Sequence, residues 1–122
     1  MGFSKAHVPQ EIAIVFVVHQ AGMDDVELKH VFRRPTMRER ERYRKLSARF
    51  EKGQLKPDFT AANAYIWNAC IKSVDGYDDL PLGDFRTYFE DDLGAEHRAA
   101  AARQLLDYIT EEEAELGKKS EG

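Results

Sequence analysis

The sequence predicts an α+β fold, an N-terminal antiparallel β-hairpin followed by three to four helices and predominantly helical, and three observations support this. Residues 12–18 (IAIVFVV) are β-branched and aromatic, and residues 26–32 (VELKHVF) alternate apolar with polar, with turn-prone AGMDD between them. Beyond Pro35 the apolar residues recur at three-to-four spacing instead. The chain has 122 residues, 43% apolar and 33% charged, enough for one modest core. Residues 1–116 therefore read as a single α+β domain, and 117–122 (GKKSEG) as a disordered polar tail.

In the hairpin, a register opposing Phe16 to His30 places Ile12, Ile14, Phe16 and Val18 on one face with Val26, Leu28, His30 and Phe32. That face should meet the helices. The reverse face carries Val15, Val17 and Val31 beside Glu27, Lys29 and Arg33, so it is also partly apolar. A two-stranded ribbon is marginal alone, and this second strip needs a cover from the chain or from another molecule.

After Pro35, Thr36-Met-Arg-Glu39 is a capping box, predicting a helix over 36–52 that Gly53 stops. Tyr43, Leu46 and Phe50 form its inner stripe, and Arg38, Arg42, Lys45, Arg49 and Lys52 a basic stripe beside it. Phe59, Ala62, Ile66, Cys70 and Val74, widened by Tyr65, Trp67 and Ile71, predict a second, deeply buried helix. Residues 75–94 are turn-rich and acidic around a short aromatic helix at 85–89. Ala95, Ala99, Ala102, Leu105, Leu106 and Ile109 mark a last amphipathic helix that frays into 111–113.

The formal net charge of -4 conceals a strong segregation. Residues 33–52 hold nine Lys/Arg against three Glu, a net of +6, which leaves -10 for the remainder. Residues 75–96 carry eight acids against Arg86 and are the natural counter-surface. The single cysteine, Cys70, excludes a disulfide framework and a multi-cysteine zinc site, and suits a reducing, cytoplasmic setting. The longest apolar run has seven residues against the roughly 20 of a membrane helix, so no membrane role is expected.

The chemistry-bearing residues do not form an enzyme pattern. His7, His19, His30 and His97 lack metal-ligand spacing, and neither a phosphate loop nor a nucleophile elbow occurs. His30 reads as a satisfied structural histidine and Cys70 as a small buried hydrophobe. The DGYDD run at 75–79 lacks the alternating ligands of a calcium loop. No enzyme activity, cofactor or metal is expected.

One longer pattern remains, VELKHVFRRPTMRERERY at 26–43. A strand ending in Phe-Arg-Arg-Pro-Thr, followed at once by a charged helix with an inner Tyr, resembles the small tail-assembly chaperones of tailed phages and prophages. Trp67, Asn68, Ile71 and Val74 leading into Asp75-Gly76 fit the same group. The resemblance implies a non-enzymatic cytoplasmic protein that binds and solubilises the long helical tape-measure protein during tail morphogenesis, with no catalytic residues. Partner-binding residues would be Val15, Val17 and Val31 on the hairpin and Arg38, Arg42, Lys45 and Arg49 on the basic helix. Two alternatives stay open. One is a small nucleic-acid-binding module using the helix at 36–52, disfavoured because its aromatics lie on the core side. The other is a structural tail or head-completion subunit that forms a homo-oligomer through the hairpin.

Overall fold

In a computed structural model, residues 8–121 are described, with side chains described for 8–115. Strands β1 (Glu11–Val18) and β2 (Val26–Arg33) form the expected antiparallel pair. The register differs from the expected one, because Phe16 lies opposite Leu28, and His30 opposite Ile14. The slip is two residues, so every side chain keeps its face. The observed register pairs both apolar runs end to end, from Glu11·Arg33 to Val18·Val26, whereas the expected one sets Val26 against Gln20 in the turn.

Helix α1 (Met37–Ser47) starts as its capping box dictates: Glu39 N–H donates to Thr36 Oγ1 at 3.2 Å, and Thr36 N–H donates to Glu39 Oε1 at 2.9 Å. It ends five residues before the expected Lys52. There the chain folds into a miniature hairpin, β3 (Phe50–Glu51) with β4 (Gln54–Leu55), around Lys52 and Gly53, whose φ values are 52° and 77°. Two consecutive positive φ angles are what a tight two-residue hairpin turn needs. Phe50 is consequently 73% exposed and leaves the inner stripe it was expected to join.

Helix α2 (Thr60–Cys70) is also shorter than its periodicity predicts. Ile71 and Val74 belong instead to a third strand, β5 (Ile71–Asp75), which pairs antiparallel with β2 and makes the sheet order β1-β2-β5. Two strands alone are marginal, and β-branched residues beside the open edge of β2 gain more from the ladder than from another helical turn. A bulge between Val31·Ser73 and Phe32·Ile71 takes up Lys72.

A 3-10 helix (Phe85–Phe89), capped by Asp84, occupies the expected aromatic segment. Helix α3 (Asp92–Glu121) follows it. At Gly94 a Cβ would lie 2.0 Å from the Tyr88 carbonyl oxygen, so only glycine lets α3 pass the 3-10 helix so closely. Ala101, Ala102, Leu105 and Ile109 are buried, and small alanines bring α3 against α2. Helix α3 runs through 111–113, where fraying was expected, and on to Glu121, while the side chains of the expected tail, 117–122, lie outside those described.

The architecture is therefore α+β: an antiparallel sheet whose inner face is packed against a helical layer. It has three α-helices and one 3-10 helix among the described residues, and a third sheet strand that the hairpin reading lacked. Phe32, Ile66, Trp67, Phe89 and Leu105 form the center of the core at 0% exposure.

Candidate functional site

The outer face of the sheet is the surface that the helices leave open. Val15 and Val17 are each 48% exposed there, while Val31, on the central strand between β1 and β5, is half-buried. β5 lies beside this strip and does not cover it. Lys72 and Glu11 pair at 2.6 Å across one end of the strip, while Lys29 lies directly opposite Val15 and Glu27 directly opposite Val17. The surface is thus a row of valines on β1 flanked along its length by charged residues of β2.

The cations that follow it divide into two sets. Arg33 makes a bidentate pair with Glu39, at 2.7 and 2.6 Å, and donates to the Ala69 carbonyl at 2.8 Å, which ties β2 to α1 and α2. This hydrogen bonding holds the Glu39 carboxyl at about 2. Arg34 pairs with Glu112, and Arg40 with Glu113, where its second hydrogen bond is 3.0 Å long. The counter-surface of the basic segment is therefore the acidic run on α3, and not the loop at 75–96 that charge counting favoured. A local count cannot show which helix faces which.

Arg38, Arg42 and Lys45 are exposed on α1 and make no ion pair among the described residues. Arg49, expected beside them, lies beyond the helix end and pairs with Asp58 at 3.2 Å. The expected stripe of four partner-binding cations is thus three residues on the helix and one off it.

Beneath the sheet a polar chain that the linear sequence does not reveal runs from the buried core out to half-buried residues. Trp67 Nε1–H donates to His30 Nδ1 at 3.0 Å, His30 Nε2 lies 2.8 Å from the Tyr77 hydroxyl, and that hydroxyl lies 3.0 Å from His97 Nδ1. An indole N–H can only donate. His30 Nδ1 therefore accepts, its proton sits on Nε2 and is donated to Tyr77, and the Tyr77 O–H is donated onward to His97. Each link fixes the next. Burial, with His97 adding to it, lowers the His30 pKa to about 4; burial also lowers that of His97 and raises that of Tyr77. His30 is thus the satisfied core histidine its apolar face predicts. Tyr77 and His97 were missed, and the one available signal was Gly76, whose φ of 98° and close approach to the Glu27 carbonyl turn the chain so that Tyr77 enters the core.

His97 and Tyr77 also line a cleft of about 300 Å³ with Val26, Leu28, Tyr88 and Leu93. Cys70 is buried, and burial pushes its thiol up to about 12, consistent with a packing role. Among the described residues no cluster of three or more His, Cys, Asp or Glu is arranged to hold a metal ion. No helix among them is long and apolar enough to cross a membrane.

The sequence matches no family model, and neither a curated protein nor a solved structure is significantly similar to it.

Proposed function

We propose that this chain is a non-enzymatic tail-assembly chaperone of the phage or prophage kind, acting in the cytoplasm on a tape-measure protein. One observation carries the reading: Val15 and Val17 stand half-exposed on the outer face of a sheet whose inner face packs against the helices. A long helical client exposes an apolar stripe before it is assembled. The strip at Val15, Val17 and Val31 offers that stripe a place to lie, and Lys29 and Glu27 alongside it orient polar margins. Arg38, Arg42 and Lys45 extend the surface toward acidic segments of the same client.

The test is co-expression with the tape-measure protein encoded in the same gene cluster. The reading expects that protein to become soluble and to co-purify with the chain, and Val15→Lys with Val17→Lys to abolish both effects. If the genuine neighbour stays insoluble and unbound, the reading fails.

The cations on α1 that make no ion pair among the described residues, Arg44 beside Arg38, Arg42 and Lys45, favour one second reading, a nucleic-acid-binding module. Binding to DNA would then weaken steeply with salt, and Arg38→Glu with Arg42→Glu would remove it. No binding at low salt excludes that reading.

A further inference from the structure

The hydrogen-bond alternation around β1 leaves one row of its backbone groups facing outward. Arg34 N–H donates to the Gln10 carbonyl at 2.9 Å, which makes Gln10 and Arg34 a hydrogen-bonded pair in line with the β1–β2 register. Alternation then turns the backbone groups of Ile12, Ile14, Phe16 and Val18 toward β2, and those of Glu11, Ala13, Val15 and Val17 away from it. The far side of β2 agrees, since Lys29 and Val31 face Asp75 and Ser73 of β5. Among the described residues no strand pairs with the outer edge of β1. Edge strands are normally blunted by lysine, proline or a bulge, and residues 12–18 contain none of these.

We infer that β1 pairs antiparallel with β1 of a second copy about a two-fold axis at Val15, joining two three-stranded sheets into one of six strands. Parity restricts the register. The outward-facing backbone groups belong to odd-numbered residues, so odd must meet odd, which also keeps both helical layers on the same side of the joined sheet. With Val15 opposite its own counterpart, Ala13 meets Val17, and at each end Glu11, which holds Lys72, meets His19, which holds Asp25. Of the two neighbouring allowed registers, one sets Glu11 against Val17 and brings Pro9, which has no N–H, into the ladder, and the other carries Glu11 past the end of β1 to Ala21 in the turn. On the inner side the buried Ile14 then meets Phe16, and the buried Ile12 meets Val18; Phe16 and Val18 are half-buried in the single chain. On the outer side the exposed strips of both copies merge into one. The pairing goes beyond the proposed function and does not depend on it, because it requires no client.

The test uses the full chain alone. Light scattering should give twice the 14.0 kDa chain mass. Val15→Cys should form a disulfide-linked dimer under mild oxidation, because paired residues of this type lie about 5.5 Å apart between Cα atoms, within disulfide reach. Val17→Cys should cross-link at least tenfold more slowly, since it faces Ala13; Cys70 is buried and does not compete. Val15→Pro removes only an outward N–H, and Val15→Lys places like charges together at the axis. Either should give a monomer whose circular dichroism matches the parent. A monomeric parent overturns the inference. So does equal cross-linking at 15 and 17, or a dimer that survives both Val15→Pro and Val15→Lys.

Discussion

The two faces of the sheet use similar side chains to opposite ends. On the inner face Ile12, Ile14, Leu28 and Phe32 are buried, and the polar His30 among them has both ring nitrogens hydrogen-bonded. On the outer face Val15 and Val17 remain half-exposed, each directly opposite a charged residue, Lys29 and Glu27. The strands alone do not create this difference, since apolar residues occupy both sides. It comes from where the helices pack, and α2 and α3 cover one side only. A valine is therefore structural or available depending on its parity in β1.

That contrast is most strongly tested in the core. Trp67→Ala should cost about 3–5 kcal/mol of stability in urea unfolding, from lost packing together with an unsatisfied His30 nitrogen. Val17→Ala should cost less than about 1 kcal/mol. Comparable losses would remove the distinction between the faces.

The pH dependence of stability should follow the inner face next. The folded-state pKa of His30 is about 4 against an ordinary 6.5, so between these values the unfolded chain binds more protons. Stability should accordingly be full above pH 6.5 and fall by about 3 kcal/mol as the pH drops to about 4, with His97 adding in the same direction. His30→Gln, which can accept from Trp67 and donate to Tyr77 without titrating, should flatten that window. The Glu39 contribution lies lower. Its stabilisation is present above the ordinary 4.5 and is lost as the pH falls toward about 2.

Smaller effects separate the paired cations from the unpaired ones. Glu112→Gln should cost about 1 kcal/mol by releasing Arg34, while Arg42→Gln should leave unfolding unchanged within about 0.5 kcal/mol. The smallest change in stability belongs to the outer face. Val17→Lys, which leaves Val15 unchanged, should shift urea unfolding by no more than about 0.5 kcal/mol yet weaken partner binding, which pull-down would show.

Local rules made much of this fold legible. Alternation fixed the faces of β1 and β2, the Thr36–Glu39 box fixed the start of α1, and alanine and leucine spacing fixed α3. The misreadings arose where two periodicities overlap. Ile71 and Val74 fit a helical stripe as well as a strand, and only the open side of β2 decides between them. Phe50 likewise fits the stripe of α1, but Lys52-Gly53 turns the chain before it can pack. Of the candidate site, Val15 and Val17 were readable from alternation. The partners of Arg34 and Arg40 were not, because they lie 78 and 73 residues along the chain.

Those two ion pairs also set a timetable for folding. The strands and α1 are synthesised first, but the carboxylates that complete the basic segment arrive more than seventy residues later. Contacts of such separation close large loops and form late. During synthesis the basic segment therefore waits on the ribosome without its acids, beside an apolar sheet whose helical layer is still being made. Until α3 docks, the inner face of the sheet lacks part of its cover, and docking of α3 both closes that face and delivers the two carboxylates.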